Sequence, residues 1–320
     1  MLSDMADSTK VVTPNVNAVN QTEFVAYDCL LATGFSLCLL VGLPGNCLAL
    51  SYFIKTKKRN LSTLLYIAAC SFDMISSVIH LPLTFNLFNK RQPGLLGNKS
   101  FCSVWLVTFG LAQQVSMFVA LMISVSRTIS IIFPFYKINK NYCVASIIMA
   151  VIYHLTWGVI TITIYDIFRY SYGYGYCEFY SDKDFNKVYW ISHNICTGIP
   201  PVLIFLSLVA SIIKLRGRSA SEESNRAKRR SSLTIIYFSV IFLVCNTVYF
   251  LNNVAFNYTM EALKLYPGPI YGNNFMFFYS WIIGEFLSTV LNASLNPVLY
   301  LCRMTRMRTW LLDVVRIREL

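Results

Sequence analysis

Seven stretches of this chain are long, apolar and almost free of charge: residues 29–54, 61–89, 101–136, 142–165, 188–213, 231–260 and 265–301. Each reaches or exceeds the ~20 residues that a helix needs to cross a bilayer. Their only charged residues are Asp73, Arg127 and Glu285. Backbone N–H and C=O groups in hydrocarbon must be satisfied within the protein, which confines such stretches to helices. With 56% hydrophobic and 13% charged residues, an ordinary soluble domain of 320 residues is excluded. The expected fold is an all-α membrane protein, a seven-transmembrane helix bundle.

Lys and Arg set its orientation. The loops after the first, third and fifth stretches, together with the tail, hold most of the 27 basic residues. They carry Lys55, Lys57, Lys58 and Arg59; Lys137 and Lys140; Lys214, Arg216, Arg218, Arg226, Lys228, Arg229 and Arg230; and five arginines after Tyr300. The positive-inside rule places this side in the cytoplasm and the N-terminus outside a multi-pass protein of the plasma membrane. The net charge of +12 is then a juxtamembrane feature that meets anionic membrane lipid. The basic clusters are short and separated by membrane, so nucleic acid is not an expected partner.

The chain divides into an extracellular tail (1–26), the seven-helix domain (27–302) and a short cytoplasmic segment (303–320). The tail is polar and lacks an apolar signal-peptide core, so the first span is expected to serve as the insertion signal. Asn20, in Asn20-Gln21-Thr22, and Asn98, in Asn98-Lys99-Ser100, are the expected glycosylation sites. In the last segment Arg303, Arg306, Met307, Trp310, Leu311, Val314 and Val315 form basic and apolar faces at helical spacing, which suits a helix lying on the inner leaflet.

The seventh stretch ends in Asn292-Ala293-Ser294-Leu295-Asn296-Pro297-Val298-Leu299-Tyr300. Pro297 removes one backbone donor and frees a carbonyl a turn earlier, which neighbouring helices or waters must satisfy. Amides and a proline at this depth have the composition of a hinge. Asp73, alone at mid-membrane, is either a carboxyl satisfied by packed amides and waters or an ion or proton site. Arg127, at the inner end of the third stretch, is either a snorkelling arginine or a functional one.

Several residues fall in order along these stretches: Gly45-Asn46, then Asp73 and Pro82, Cys102 and Arg127, Pro134, Trp157, Pro200 or Pro201, and Asn296-Pro297-x-x-Tyr300. The ordered set resembles the rhodopsin-like G-protein-coupled receptors over nearly the whole chain. The twenty-five residues from Cys102 to Arg127 span about 37 Å as a helix, close to bilayer thickness. The resemblance implies a disulfide from Cys102 to Cys177, in the outer loop of an oxidising exterior, with the other eight cysteines free. It implies that Arg127, Asn296, Pro297 and Tyr300 carry activation and G-protein coupling, with no enzymatic activity. It also implies an allosteric sodium ion at Asp73, Ser116, Asn292 and Asn296, and no other cofactor.

The chain departs from the family pattern at three places. Ser126-Arg127-Thr128 lacks the acid that usually precedes the arginine, so appreciable basal signalling is expected. Cys245-Asn246-Thr247-Val248 stands where the family has Cys-Trp-x-Pro. Leu208 or Val209 replaces an inner tyrosine on the fifth helix.

Phe109 stands where amine receptors carry an aspartate, and Val290 where opsins carry their retinal lysine, so neither a biogenic amine nor retinal is expected. Gln113, Gln114 and Glu285 offer polar contacts to an extracellular ligand, although Glu285 also suits a group reaching outer water. Tyr170, Tyr172, Tyr174 and Tyr176 alternate before Cys177, as on one face of a hairpin lid or in an interfacial aromatic belt. A peptide is the first expectation for the ligand and a small molecule the second.

Two other classes remain as alternatives. One is a transporter or channel, disfavoured by the absence of an inverted repeat and of Gly/Pro-broken helices. The other is a receptor-fold protein that binds ligand without signalling.

An epitope tag before Met1 is predicted to be accessible to antibody on intact cells, and a tag after Leu320 only after permeabilisation; the reverse pattern contradicts the topology. Replacing Cys102 or Cys177 should lower surface expression similarly, with the double replacement little worse than either, whereas additive losses would show that they are not partners.

Overall fold

A computed structural model describes residues 29, 32–34, 36–56, 60–88, 99–165, 168–170, 177–179, 183–216, 236–247, 250–251, 254 and 275–317. Its architecture is a seven-helix bundle followed by a short helix. The helices are α1 (Ala32–Lys55), α2 (Leu61–Phe88), α3 (Lys99–Ile132), α4 (Lys140–Tyr165), α5 (Lys183–Arg216), α6 (Ile236–Thr247 as described), α7 (Phe275–Arg303) and α8 (Thr305–Ile317). Helices α1 to α5 each contain a segment long and apolar enough to span a membrane.

Between α4 and α5 a small antiparallel hairpin pairs β1 (Phe168–Tyr170) with β2 (Cys177–Phe179), setting Tyr170 opposite Cys177. Strand β1 lies against α3. The expected sites at Asn20, Asn98, Tyr172, Tyr174 and Tyr176 lie outside the described residues, as do the side chains of Cys102, Cys177 and Glu285. The other eight cysteines are free thiols, as expected.

Two boundaries differ from the apolar pattern for identifiable reasons. Helix α3 stops at Ile132, not at 136, because Pro134 disfavours helical backbone at the residue before it. The chain then turns, and the Tyr136 N–H donates to the Phe133 carbonyl at 3.0 Å. Helix α5 begins at Lys183, five residues before the apolar stretch, because its first turn is polar.

The stretch Cys38–Gly42 of α1 is a π turn, in which the Leu43 N–H reaches the Cys38 carbonyl five residues back. Pro44 follows at the start of the regular helix and cannot donate, which favours this widened turn. The Leu37 carbonyl there accepts the Ser294 hydroxyl of α7 at 3.3 Å.

Among the described residues the buried apolar core gathers around Phe53, Leu65, Tyr66, Met117, Ile123, Ile204, Phe242, Tyr300 and Met307. Outward-facing positions on α4 and α5 are apolar too, among them Met149, Phe205 and Ile213, as bilayer-facing surfaces require. Helix α8 buries Met307 completely and lays Trp310 against Tyr52, with ring centres 5.6 Å apart. Lys55 Nζ lies 5.8 Å from the Trp310 ring.

The approach of α1 to α7 and to α2 depends on two glycines. A Cβ at Gly45 would lie 2.7 Å from Pro297 Cβ, and one at Gly42 would lie 2.8 Å from Ser77 Oγ. A proline ring cannot rotate aside as a long side chain can. Gly45→Ala is therefore expected to destabilise the solubilised protein by about 1–3 kcal/mol. Gly110→Ala, where nothing lies within 4 Å, should be neutral or slightly stabilising. Thermal unfolding of the two variants checks the contrast, and equal melting temperatures would show that α1 can move away from α7.

Candidate functional site: two polar centres inside the bundle

The first centre is built on Asp73, which α2 carries into the interior at 1% exposure. One carboxylate oxygen accepts the Ser116 hydroxyl of α3 at 2.8 Å, and the other accepts the Asn296 amide of α7 at 2.7 Å. The single acid thus joins three helices. Asn292 lies one turn before Asn296 and is buried, but does not bond Asp73. Its side-chain carbonyl oxygen, with those of Asn46 and Asn296, is buried without a hydrogen-bond partner among the described residues. Orphaned acceptors of this kind cost about 1–3 kcal/mol each unless something else satisfies them.

Pro297 explains the role of Asn46. Without its N–H, the carbonyl four residues back, at Ala293, has no donor within α7. The Asn46 amide of α1 supplies one, donating at 2.8 Å to Ala293 and at 2.9 Å to Gly42.

The second centre lies at the basic end. The half-buried Arg127 of α3 lies near Tyr66 of α2. The Tyr66 ring stacks on Phe53 at 5.2 Å and meets Tyr300 edge-on at 5.4 Å, and Tyr300 lies 6.5 Å from Phe238 of α6. The ring cluster therefore joins α1, α2, α6 and α7 beside Arg127. Ser126 does not take part, since its hydroxyl donates to the Ile123 carbonyl of its own helix at 3.0 Å. Among the described residues no carboxylate pairs with Arg127.

Hydroxyls close the remaining gaps around this end. Ser124 and Ser239 share a hydrogen bond of 3.2 Å between α3 and α6, and Thr128 and Ser211 share one of 2.9 Å between α3 and α5. Together with Ile131, Leu208 and Ile236 they leave no room for a water molecule. Arg303, the last residue of α7, lies over the Tyr237 ring of α6 at 4.0 Å. The ends of α3, α5, α6 and α7 are therefore closed.

Toward the other end, Trp105 donates to the Ile79 carbonyl at 2.8 Å and stacks on Phe109 at 5.5 Å. Gln113 lies one turn beyond Phe109. Both Gln113 and its neighbour Gln114 are buried, with amide nitrogens that have no partner among the described residues. Asn246 bonds back to the Phe242 carbonyl of α6 at 2.9 Å.

The structure thus brings Asp73, Ser116 and Asn296 into contact, and packs Tyr300 against Tyr66 near Arg127. The sequence reading missed Tyr66 and Ser124, and the contacts that Thr128 and Arg303 make with α5 and α6. Tyr66 lies two helical turns before Asp73 on the same face of α2, which was the available signal.

Residues 45–300 match the family model described as 7 transmembrane receptor (rhodopsin family). No curated protein matches the chain.

Proposed function

Because this chain belongs to the rhodopsin family of seven-transmembrane receptors, we propose that it transmits the binding of an extracellular ligand to a heterotrimeric G protein. The observation that carries this reading is the basic end, where Ser124 of α3 bonds Ser239 of α6, Arg303 of α7 lies over Tyr237, and Tyr66 packs on Tyr300 near Arg127. Opening that end would expose a guanidinium and the adjacent backbone to a partner in the cytoplasm. The basic loops put this end inside the cell and the N-terminus outside, in a plasma-membrane protein. The role is not enzymatic.

Phe109, Gln113, Tyr176 and Glu285 are assigned to the ligand side. A peptide is favoured because the hairpin before α5 lies against α3 at the mouth of the bundle. The same hairpin supports the Cys102–Cys177 bridge.

The Asp73 centre fits a sodium ion. Its donor set is a carboxylate, a hydroxyl and amide oxygens, which suits a hard cation. The Asn292 and Asn296 carbonyl oxygens are buried and unpartnered among the described residues, so they can be offered to such an ion. Asp73, Ser116, Asn292 and Asn296 would hold it, and its charge would favour the closed packing of α2, α3 and α7.

A second reading, a receptor that binds ligand without signalling, is favoured by Asn246, whose amide is tied to its own helix. Screening a ligand library for second-messenger responses in transfected cells separates the two readings. With an agonist in hand, Arg127→Ala is expected to abolish G-protein activation while leaving ligand binding within about twofold. If no agonist or G protein gives a response that depends on Arg127, the silent reading stands.

Raising sodium is expected to weaken agonist binding, and Asp73→Asn to remove that dependence. Linkage requires agonist to weaken sodium binding by the same factor. Equal sodium sensitivity in wild type and Asp73→Asn, at matched expression, would reduce Asp73 to a packing role.

A further inference from the structure

The first turns of α2 and α4 leave a groove between them. Leu64, Ile67 and Ala68 line it from α2, and Cys143, Ile147 and Ile148 from α4. It holds about 170 Å³ of free volume, whereas the space among Ser124, Thr128 and Ser211 holds none. The lining side chains are apolar apart from the Cys143 thiol, so water entering here would lack the polar partners that retain it in a cavity. Left empty, the walls forfeit dispersion contacts. The groove opens sideways onto the bilayer, because Ile148 lines it and is also 52% exposed, beside the outward-facing Met149 and Ile152.

Its inner end lies where both helices begin. Leu61, the first residue of α2, lines it as well. Lys140, the first residue of α4, lies one turn before Cys143 and Val144 on the same helix face. The Asn139 side chain fixes this start by accepting the Asn141 N–H at 2.9 Å. Lys137 and Lys140 are both exposed, and the flanking segments, residues 55–72 and 133–165, contain no Asp or Glu to neutralise them. An apolar cleft thus ends in an uncompensated positive charge at the level of the inner leaflet.

We propose that the α2–α4 groove binds an anionic glycerophospholipid of the inner leaflet, with one acyl chain between the helices and the phosphate group at Lys140. The bilayer already solvates acyl chains, so the chain gains packing only, and the charge at Lys140 selects the headgroup. A sterol would fill the apolar part but brings a lone hydroxyl, which leaves the ammonium group unmatched. The site follows from the membrane topology and does not depend on the G-protein reading.

The test is native mass spectrometry of the receptor released from nanodiscs of equal parts dioleoylphosphatidylserine and dioleoylphosphatidylcholine. One retained phosphatidylserine per receptor is expected, favoured over phosphatidylcholine about fivefold, and Lys140→Gln should bring that preference close to parity. Ala68→Phe fills the groove and should lower retention of phosphatidylserine about tenfold. In the unmutated protein, alkylation of Cys143 by N-ethylmaleimide, read from its peptide, should be at least about threefold slower in phosphatidylserine than in phosphatidylcholine nanodiscs. That measurement decides the matter if Ala68→Phe does not fold. Equal alkylation of Cys143 in the two lipids, or a preference for phosphatidylserine that survives Lys140→Gln, overturns the proposal. Added cholesterol that displaces phosphatidylserine and protects Cys143 in its place overturns it in favour of a sterol. None of these readouts uses an agonist or a G protein, so their failure leaves the receptor reading untouched.

Discussion

One missing hydrogen organises the interior. Pro297 cannot donate to Ala293, and a bare carbonyl at that depth has no water to turn to. Asn46 answers it from another helix at 2.8 Å, which requires α1 to approach α7 closely. The closeness in turn requires glycine at 45, where any side chain would strike the Pro297 ring. The π turn in α1 and the Ser294 bond to Leu37 lie along the same seam. A local defect in one helix thus dictates the packing of its neighbour. It also leaves α7 without a continuous hydrogen-bond ladder just before Tyr300, where a change of shape costs least.

From that seam a polar thread runs down the bundle. Asp73 gathers α2, α3 and α7, and two turns away on the same helix Tyr66 gathers Phe53 and Tyr300. Between them lies the apolar packing of Ala69, Cys70 and Ile123. The two centres are polar because they must be able to exchange partners; an all-apolar interior would lock the helices without offering a second arrangement. The hydroxyl pairs Ser124–Ser239 and Thr128–Ser211 work in the same way. They are neutral, so separating them leaves no buried charge behind, unlike the breaking of an ion pair.

Much of this was legible in the residues. Apolar runs of membrane length announce a helix bundle because lipid admits little else, and the spacing of Asp73, Ser116 and Asn296 survives folding because each lies on a long regular helix. The charge-poor run continues to 136 while α3 ends at Ile132, because hydropathy does not register that Pro134 stops a helix. The π turn was not foreseen, since a proline near the start of a helix ordinarily does no harm. Tyr66 was overlooked because a tyrosine among apolar residues reads as packing, and only the facing helices reveal that its ring joins Phe53 to Tyr300. Partnerships between helices are invisible to any reading that proceeds along one helix at a time.

A single residue, Met304, separates α7 from α8, and Met307 and Trp310 fasten α8 back onto α1 through the core and Tyr52. Helices α1, α7 and α8 therefore make a stator. Phe238 of α6 faces Tyr300 of this frame and Arg303 projects from it onto Tyr237, so among the described residues α6 rests on the frame through a ring pair and an arginine laid on one ring. Contacts of that type contribute about 0.5–2 kcal/mol, a few multiples of thermal energy. Such a detent is deep enough to define a rest position and shallow enough to be crossed many times a second.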